Sequence, residues 1–402
     1  MSRPPSAPPR PNTRRAARAA ACVMALLLAA SGAPAAAQSA TGEPVQAPSS
    51  IGPLSVETVA SGLHSPWGLA FLPDGRMLVT ERPGQLRIVS RSGTVSAPVA
   101  GVPPVLARGQ GGLLDVALAP DFADSRLVFL TYAEPREGAA GTSVARGRLV
   151  EQNGDARLDN VEVIFRQSPA ASGGNHFGSR LVFARDGTLF VTLGDRASLR
   201  DQAQNLSNHI GKVVRIAPDG GVPADNPFRE RHDARPEIWS YGHRNVQGAA
   251  LDPASGLLWT IEHGARGGDE LNRPEAGKNY GWPVITYGRD YSGAAIGEGT
   301  EKAGMEQPVK YWDPSFAPSG LAFYTGTLMP QWKGDLFTGG LAGARLLRLK
   351  LDPARQSVAE EEILLADLGE RIRDVRQGPD GALWLLTDDP SNGRLLRLAP
   401  AD

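Results

Sequence analysis

The sequence predicts an all-β fold, a six-bladed β-propeller, and three observations carry that prediction. One phrase recurs six times, around Asp74, Asp121, Asp186, Asp252, Asp335 and Asp380. Each copy reads as an apolar residue, a Pro/Asp/Gly turn and an alternating apolar strand; the copy around Asp335 is degenerate. Self-similarity at a period of tens of residues marks a repeat architecture. One copy cannot bury both faces of its small sheet, but radial packing of several copies can, and it leaves a central channel where their loops meet. The second observation is composition: 47 glycines and 33 prolines suit a turn-dense β protein. The third is that no long amphipathic helix is legible. Residues 202–209 have spacing for a turn or two at most.

The elements follow in chain order. Residues 1–20 contain Arg14, Arg15 and Arg18 with no acid, an apolar run fills 21–30, and Ala35-Ala36-Ala37 precedes Gln38. This is the pattern of a secretory signal over 1–37. The run is shorter than the roughly 20 apolar residues that span a bilayer. The expected location is periplasmic or secreted, with no membrane insertion after signal cleavage. The sole cysteine, Cys22, falls in the removed segment, so the mature chain has neither disulfide nor thiol chemistry. Loss of residues 1–37, which hold five arginines and no acid, takes the net charge from −1 to −6. A mildly acidic protein repels phosphate backbones, which argues against a nucleic-acid partner. Residues 38–53 are small, polar and Pro-rich and read as a flexible lead-in.

Residues 54–402 are the propeller domain. Strands are expected at 77–80, 86–89, 127–132, 181–183, 189–193, 257–261, 346–349, 383–386 and 395–398, each short and bounded by turn residues. The last should pair with a strand near residue 56, because closure hides sheet edges. Uneven spacing of the copies implies insertions at 133–178, 195–211, 219–240, 264–292 and 296–318. Long loops inside a compact domain are usually functional.

Several inserts hold chemistry-bearing residues. Arg108-Gly109-Gln110-Gly111-Gly112 lets backbone approach a ligand, or is simply a turn before a strand. His176 stands in a Gly-rich segment, and Gly194-Asp195 ends the strand that follows. Such a histidine can be a general base, and a nearby aspartate can fix its tautomer. Arg244, Asn245 and Gln247 offer a planar cation and two amides for carbonyl or anionic oxygens. Glu262 to Glu270 combines acids with glycines, which suits a hard cation such as calcium, without EF-hand spacing. Arg371 and Arg373 share a strand face and can clamp a carboxylate, or form a solvated pair.

Taken in order, GQGGLLD, GGNHFGSR, TLGDR, GHRNVQG, EHG…DE, NYGWP and RIRDV resemble the soluble quinoprotein sugar dehydrogenases. These comprise soluble glucose dehydrogenase and the periplasmic aldose sugar dehydrogenases, with pyrroloquinoline quinone (PQQ) as cofactor. The resemblance spans about residues 54–398, and the compact inserts are closer to the aldose branch. It implies that His176 takes the proton from the anomeric hydroxyl and that Asp195 orients it. Arg244 would stand beside the reducible quinone carbonyl, and Gln110 would make a polar contact in the site. Asn245, Arg371 and Arg373 would hold the cofactor's carboxylates and carbonyls. The carbonyls of Gly264 and Ala265 would bind a calcium ion (Ca2+) under the cofactor. Glu270 and Tyr280 would ligate a second, structural calcium.

There are departures from the family pattern. No lysine stands near Leu341-Ala342, Ala265 replaces a proline, and Asn175 precedes the histidine where soluble glucose dehydrogenase has an aspartate. The reading is therefore an oxidoreductase that converts aldose sugars to lactones and passes electrons from PQQ to an unidentified acceptor. Two other readings compete: a metal-dependent lactone hydrolase, which needs converging carboxylates, and a non-catalytic propeller that binds a glycan or protein.

Overall fold

The structure, a computed structural model, describes residues 43–401. The expected signal segment and residues 38–42 lie outside them. The described residues form six antiparallel sheets. Blade one holds Pro66–Phe71, Met77–Glu81 and Gln85–Val89. Blade two holds Leu113–Leu118, Leu127–Arg136, Ala139–Gln152 and Asp155–Arg166. Blade three holds Leu181–Phe183, Leu189–Thr192, Lys212–Ile216 and Ile238–Tyr241. Blade four holds Val246–Leu251, Leu258–Glu262, Asp269–Asn272 and Lys310–Trp312. Blade five holds Pro318–Phe323, Leu336–Gly340, Arg345–Leu351 and Val358–Leu364. Blade six holds Ile372–Gln377, Leu383–Thr387 and Gly393–Pro400, completed by Leu54–Leu63 and Val45–Ala47 from the other end of the chain. The first strand of each blade touches the first strand of the next, and blade six returns to blade one. The fold is a six-bladed β-propeller.

The repeated phrase has a physical cause. In four copies the aspartate carboxylate accepts the backbone N–H two residues on: Asp74 from Arg76, Asp186 from Thr188, Asp252 from Ala254 and Asp380 from Ala382, at 2.9–3.2 Å. This side-chain-closed turn reverses the chain between the first two strands. Gly75, Gly187 and Gly381 follow three of these aspartates with φ of 82°, 82° and 79°, a region open to glycine. Asp335, in the degenerate copy, pairs instead with Arg348.

Closure pairs Val56 with Leu398 and Thr58 with Leu396, as the edge argument requires. The lead-in is shorter than expected. Val45–Ala47 pairs with residues 54–56, and Ala47 is buried in the core. The insert expected at 133–178 is mostly the two long outer strands of blade two. Its alternation is hidden because polar side chains are buried against partners elsewhere in the chain: Thr142 donates to the Phe177 carbonyl at 2.7 Å and Ser143 to Glu134 at 2.9 Å. The turn expected in 202–209 is a 3-10 segment, Arg200–Gln204.

The core is divided. Each of the six blade interfaces has its own apolar cluster, such as Phe129, Val144, Leu189 and Val191 between blades two and three. The middle of the ring is ionic instead. Arg180 of blade three, fully buried, ion-pairs with Asp115 of blade two at 3.3 Å and Asp374 of blade six at 3.0 Å. Arg376 reaches the same two carboxylates at 3.0 and 3.1 Å. The Arg180 guanidinium also lies 4.0 Å from the Trp67 ring centroid of blade one and donates to the Gln247 carbonyl of blade four at 2.6 Å. Blade five approaches so closely that a Cβ on Gly320 would sit 2.3 Å from Asp374 Oδ1. All six blades therefore meet at one buried charge cluster.

Candidate active site

The first two strands of a blade are antiparallel, so the start of the first and the end of the second lie at the same end of the ring. Residues at those positions wall a cavity of about 240 Å³. Every blade contributes: Trp67 and Arg82, Gln110, Phe177, Gln247 and His263, Ala342, then Arg371, Arg373 and Asp388. Three arginines and one carboxylate give it a positive wall.

His176 immediately precedes Phe177. Its Nδ1 is 2.6 Å from Asp195 Oδ1, and its backbone N–H donates to Gln110 Oε1 at 2.8 Å. The imidazole keeps some exposure, whereas Asp195 is buried. Asp195 is held from three sides. It accepts from His176, from the Trp282 indole N–H at 2.8 Å and from the Ala197 backbone N–H at 2.7 Å. Burial pushes its carboxyl up, but the hydrogen bond and charge of His176 outweigh this and hold it below the ordinary range. Asp195 is therefore an anion facing Nδ1, which fixes the tautomer with Nδ1–H as donor and leaves Nε2 as the free base.

Arg244 stands behind this pair. It donates to the His263 carbonyl at 3.1 Å, its guanidinium lies 5.3 Å from the Trp282 ring centroid, and its Nε is buried with no partner. Glu262 accepts the backbone N–H groups of Arg244 and Asn245 at 2.7 and 3.3 Å and also pairs with buried His243. Asn245 Oδ1 accepts from Gly178 N and Gln247 Nε2, each at 3.2 Å, while its Nδ2 is buried and unpartnered. Arg373 is buried and donates to Gln247 Oε1 at 3.3 Å and to Asp388 Oδ1 at 3.1 Å. Arg371, half-exposed, donates to Asp388 Oδ2 at 2.7 Å. The two arginines do clamp a carboxylate, and within the chain it is Asp388. Burial pushes Asp388 up, yet Arg373 and Arg371 keep it below its ordinary range.

The residues implied for calcium gather apart from this cavity. Gly264, Glu270 and Tyr280 line a second space of about 10 Å³ together with Glu262 and Arg244. Asn272 Nδ2 bridges Glu262 and Glu270 at 3.2 and 3.1 Å, and Asn272 Oδ1 is buried without a partner. Burial, then the charge of Glu262, pushes the Glu270 carboxyl up to about 8. The Tyr280 phenol is already engaged. It donates to the Arg273 carbonyl and accepts from Glu275 N, so only its backbone carbonyl is free to meet a cation. Ala265 packs with Trp282, Ala203 and Ile296 and lines neither space. Among the described residues, no three His, Cys, Asp or Glu side chains come together as a metal cluster.

Sequence reasoning assigned no role to Trp67, Arg82, His263, Trp282 or Asp388. His263 is partly buried, with its Nε2 donating to the Pro318 carbonyl at 2.7 Å, and held neutral: desolvation, then the charge of Arg244, pushes it down to about 3. A usable signal existed for three of these residues. Arg82, His263 and Asp388 each directly follow the second strand of a blade, close to where Asp195 stands in blade three.

The glucose/sorbosone dehydrogenase family model matches residues 63–397. An aldose sugar dehydrogenase of Escherichia coli is 50% identical over 351 residues, covering 86% of this chain and 93% of that protein. The crystal structure of the soluble E. coli aldose sugar dehydrogenase in its apo-form matches with a TM-score of 0.83 at 49% identity, over 87% of this chain and 100% of that one. The PQQ-bound aldose sugar dehydrogenase of Streptomyces coelicolor matches with a TM-score of 0.70 at 31% identity, over 86% of this chain and 98% of that one.

Proposed function

Because the chain belongs to the glucose/sorbosone dehydrogenase family, we propose that it is a PQQ-dependent aldose sugar dehydrogenase. It oxidises the C1 hydroxyl of an aldose to the lactone by hydride transfer to PQQ, acts in the periplasm or outside the cell, and hands its electrons to a separate acceptor. The export reading rests on the signal-like segment over 1–37. No helix of the described residues is long and apolar enough to cross a membrane.

The observation that carries the proposal is the His176–Asp195 pair, 2.6 Å apart beside an arginine-walled cavity. PQQ is a tricarboxylate quinone, and the residues present fit it. Arg82 Nε, Arg244 Nε and Asn245 Nδ2 are buried donors without partners, and the forks of Arg371 and Arg373, which hold Asp388 within the chain, would turn or share toward the cofactor's carboxylates. Ala342 occupies the wall where the family carries a lysine, so the arginines must supply the positive charge. When bound, PQQ supplies the hydride acceptor, and the chain supplies orientation and charge. His176 Nε2 takes the hydroxyl proton. Asp195 stabilises the imidazolium that forms, as it already bonds Nδ1. Arg244 places a fixed positive charge where negative charge develops.

Calcium fits at the smaller space. Two carboxylates share one amide there, and the unpartnered Asn272 oxygen adds a further hard ligand. Glu270 would supply a carboxylate and Tyr280 its carbonyl; Gly264, in the wall of the same space, would offer a carbonyl toward an ion under the cofactor, and Ala265, which lines neither space, would do so only through its backbone beside Gly264. Reconstitution tests the reading as a whole. Apo-protein given PQQ and calcium should reduce a dye with several aldoses, and chelator should abolish activity and lower the melting temperature together. A protein that binds PQQ but oxidises no aldose would return the non-catalytic propeller to the lead. Unchanged melting and activity in chelator would remove calcium.

Arg373→Ala should weaken PQQ binding by about 1.5–3 kcal/mol, the scale of a charge-assisted hydrogen bond. Titration of the apo-protein with PQQ measures this directly. An unaltered dissociation constant would place the cofactor elsewhere.

A further inference from the structure

His176 is held in an unusual backbone conformation. Its φ is +53°, a left-handed value that a side chain with a Cβ adopts at a cost, and such strain persists only where the surroundings over-determine it. Gln110 secures one side, through the His176 N–H. The other side is secured by a residue with no role so far.

Arg196 is 2% exposed and forms no ion pair among the described residues. Its Nη1 donates to the Asn175 carbonyl at 2.5 Å and its Nη2 to the Gly173 carbonyl at 3.1 Å. The guanidinium carbon lies 3.5 Å from the Phe177 ring centroid. Its backbone N–H donates to the His176 carbonyl at 3.3 Å. One side chain thus grips the residues immediately before and after His176, and one peptide grips His176 itself. Burying an unpaired cation is costly unless its donors are satisfied. Burial does press this guanidinium down to about 10, against the pull of Asp195. Solvent-facing packing gives no reason to accept that cost. Placing His176 does, because Arg196 is also the chain neighbour of Asp195.

We infer that Arg196 is a positioning residue for His176: its guanidinium fork fixes the strained 173–177 segment so that the imidazole meets Asp195. This rests on the reading of His176 as the base, but it is testable apart from it. Histidine-selective 15N NMR of the apo-protein should show a strongly downfield Nδ1 proton that disappears in His176→Gln. Arg196→Met should shift that proton upfield or broaden it. Arg348→Met removes a buried arginine of blade five that bonds Asp335 and Glu362, and it should leave the proton in place.

In PQQ-loaded enzyme, Arg196→Met should lower kcat by roughly 10- to 100-fold, the range for small misplacement of a reacting group, with KM within about twofold. On a His176→Ala background it should add little, since residues acting as a unit are non-additive. Arg196→Lys keeps the charge without the fork and should recover only part of the loss, and it serves if the methionine variant does not fold. An unmoved proton in both Arg196 variants would overturn the inference. So would the same shift in Arg348→Met, or a full kcat loss persisting on the His176→Ala background. If loaded wild-type protein oxidises no aldose, the functional reading fails, while the apo-protein NMR still decides the role of Arg196.

Discussion

His176→Ala should cut aldose turnover by about 10²–10⁴-fold, the usual contribution of a positioned general base, while PQQ titration remains normal. The expectation follows from the geometry. His176 is partly exposed beside the cavity with its Nδ1 committed to Asp195 at 2.6 Å, whereas the Nε2 of His263, in the cavity wall, is taken by the Pro318 carbonyl. Removing the imidazole deletes the proton acceptor without touching the arginines that face the cofactor. Asp195→Asn should cost less, because it leaves the base and disturbs only its tautomer and charge. It also leaves one acceptor oxygen where two donors, His176 Nδ1–H and the Trp282 N–H, now have one each, so its pH–rate profile should change shape as well as height. Dye-reduction kinetics over several aldoses measures both variants. Near-normal turnover in His176→Ala would sink the dehydrogenase mechanism.

The largest stability effect is expected at the centre of the ring. Arg180→Met should lower the unfolding free energy by about 3–5 kcal/mol, the cost of leaving buried charges uncompensated. Asp115 and Asp374, both fully buried, would then share Arg376 alone. The same change frees the Gln247 and Arg373 carbonyls that Arg180 holds at 2.6 and 3.2 Å, so the cavity floor should loosen too. Urea denaturation of the apo-protein measures the loss. A change under about 1 kcal/mol, the size of a surface ion pair, would show that the cluster does not tie the blades together.

Much of the fold was readable because the turn chemistry repeats. Asp74, Asp186 and Asp380 each close the same turn with the same carboxylate, and the strand that follows alternates cleanly. Blade two broke the pattern because Thr142 and Ser143 are buried polar residues whose partners, Phe177 and Glu134, lie 35 and 9 residues away, so no apolar period survives in the sequence. In the site, His176 and Asp195 were legible because Gly173, Gly174 and Gly178 surround the first and Gly194 precedes the second. Trp282 was not, since its bond to Asp195 spans 87 residues and nothing local announces it. Arg82, His263 and Asp388 look ordinary when read singly. Their meaning comes from register: each follows the second strand of its blade, and a propeller delivers that position to one mouth. Arg371 and Arg373 were recognisable as a clamp, but their resident partner, Asp388, depends on pairing Ile372–Gln377 with Leu383–Thr387.

The buried charge cluster under Trp67 has a kinetic consequence. It turns what would be a tube into a cup with a single opening. In the proposed reaction, sugar, product and electron acceptor would then all use the same doorway. For a redox site of the proposed kind, the oxidised sugar has to depart before a bulky acceptor can come near. Such visits would be separated in time because the charge cluster closes the floor of the cavity. The proposed half-reactions are expected to take turns, which initial-rate kinetics would report as a double displacement when sugar and acceptor concentrations are varied together. A propeller with an open axis would be free of that constraint; this one, with six blades gripping Arg180 and its carboxylates, is not.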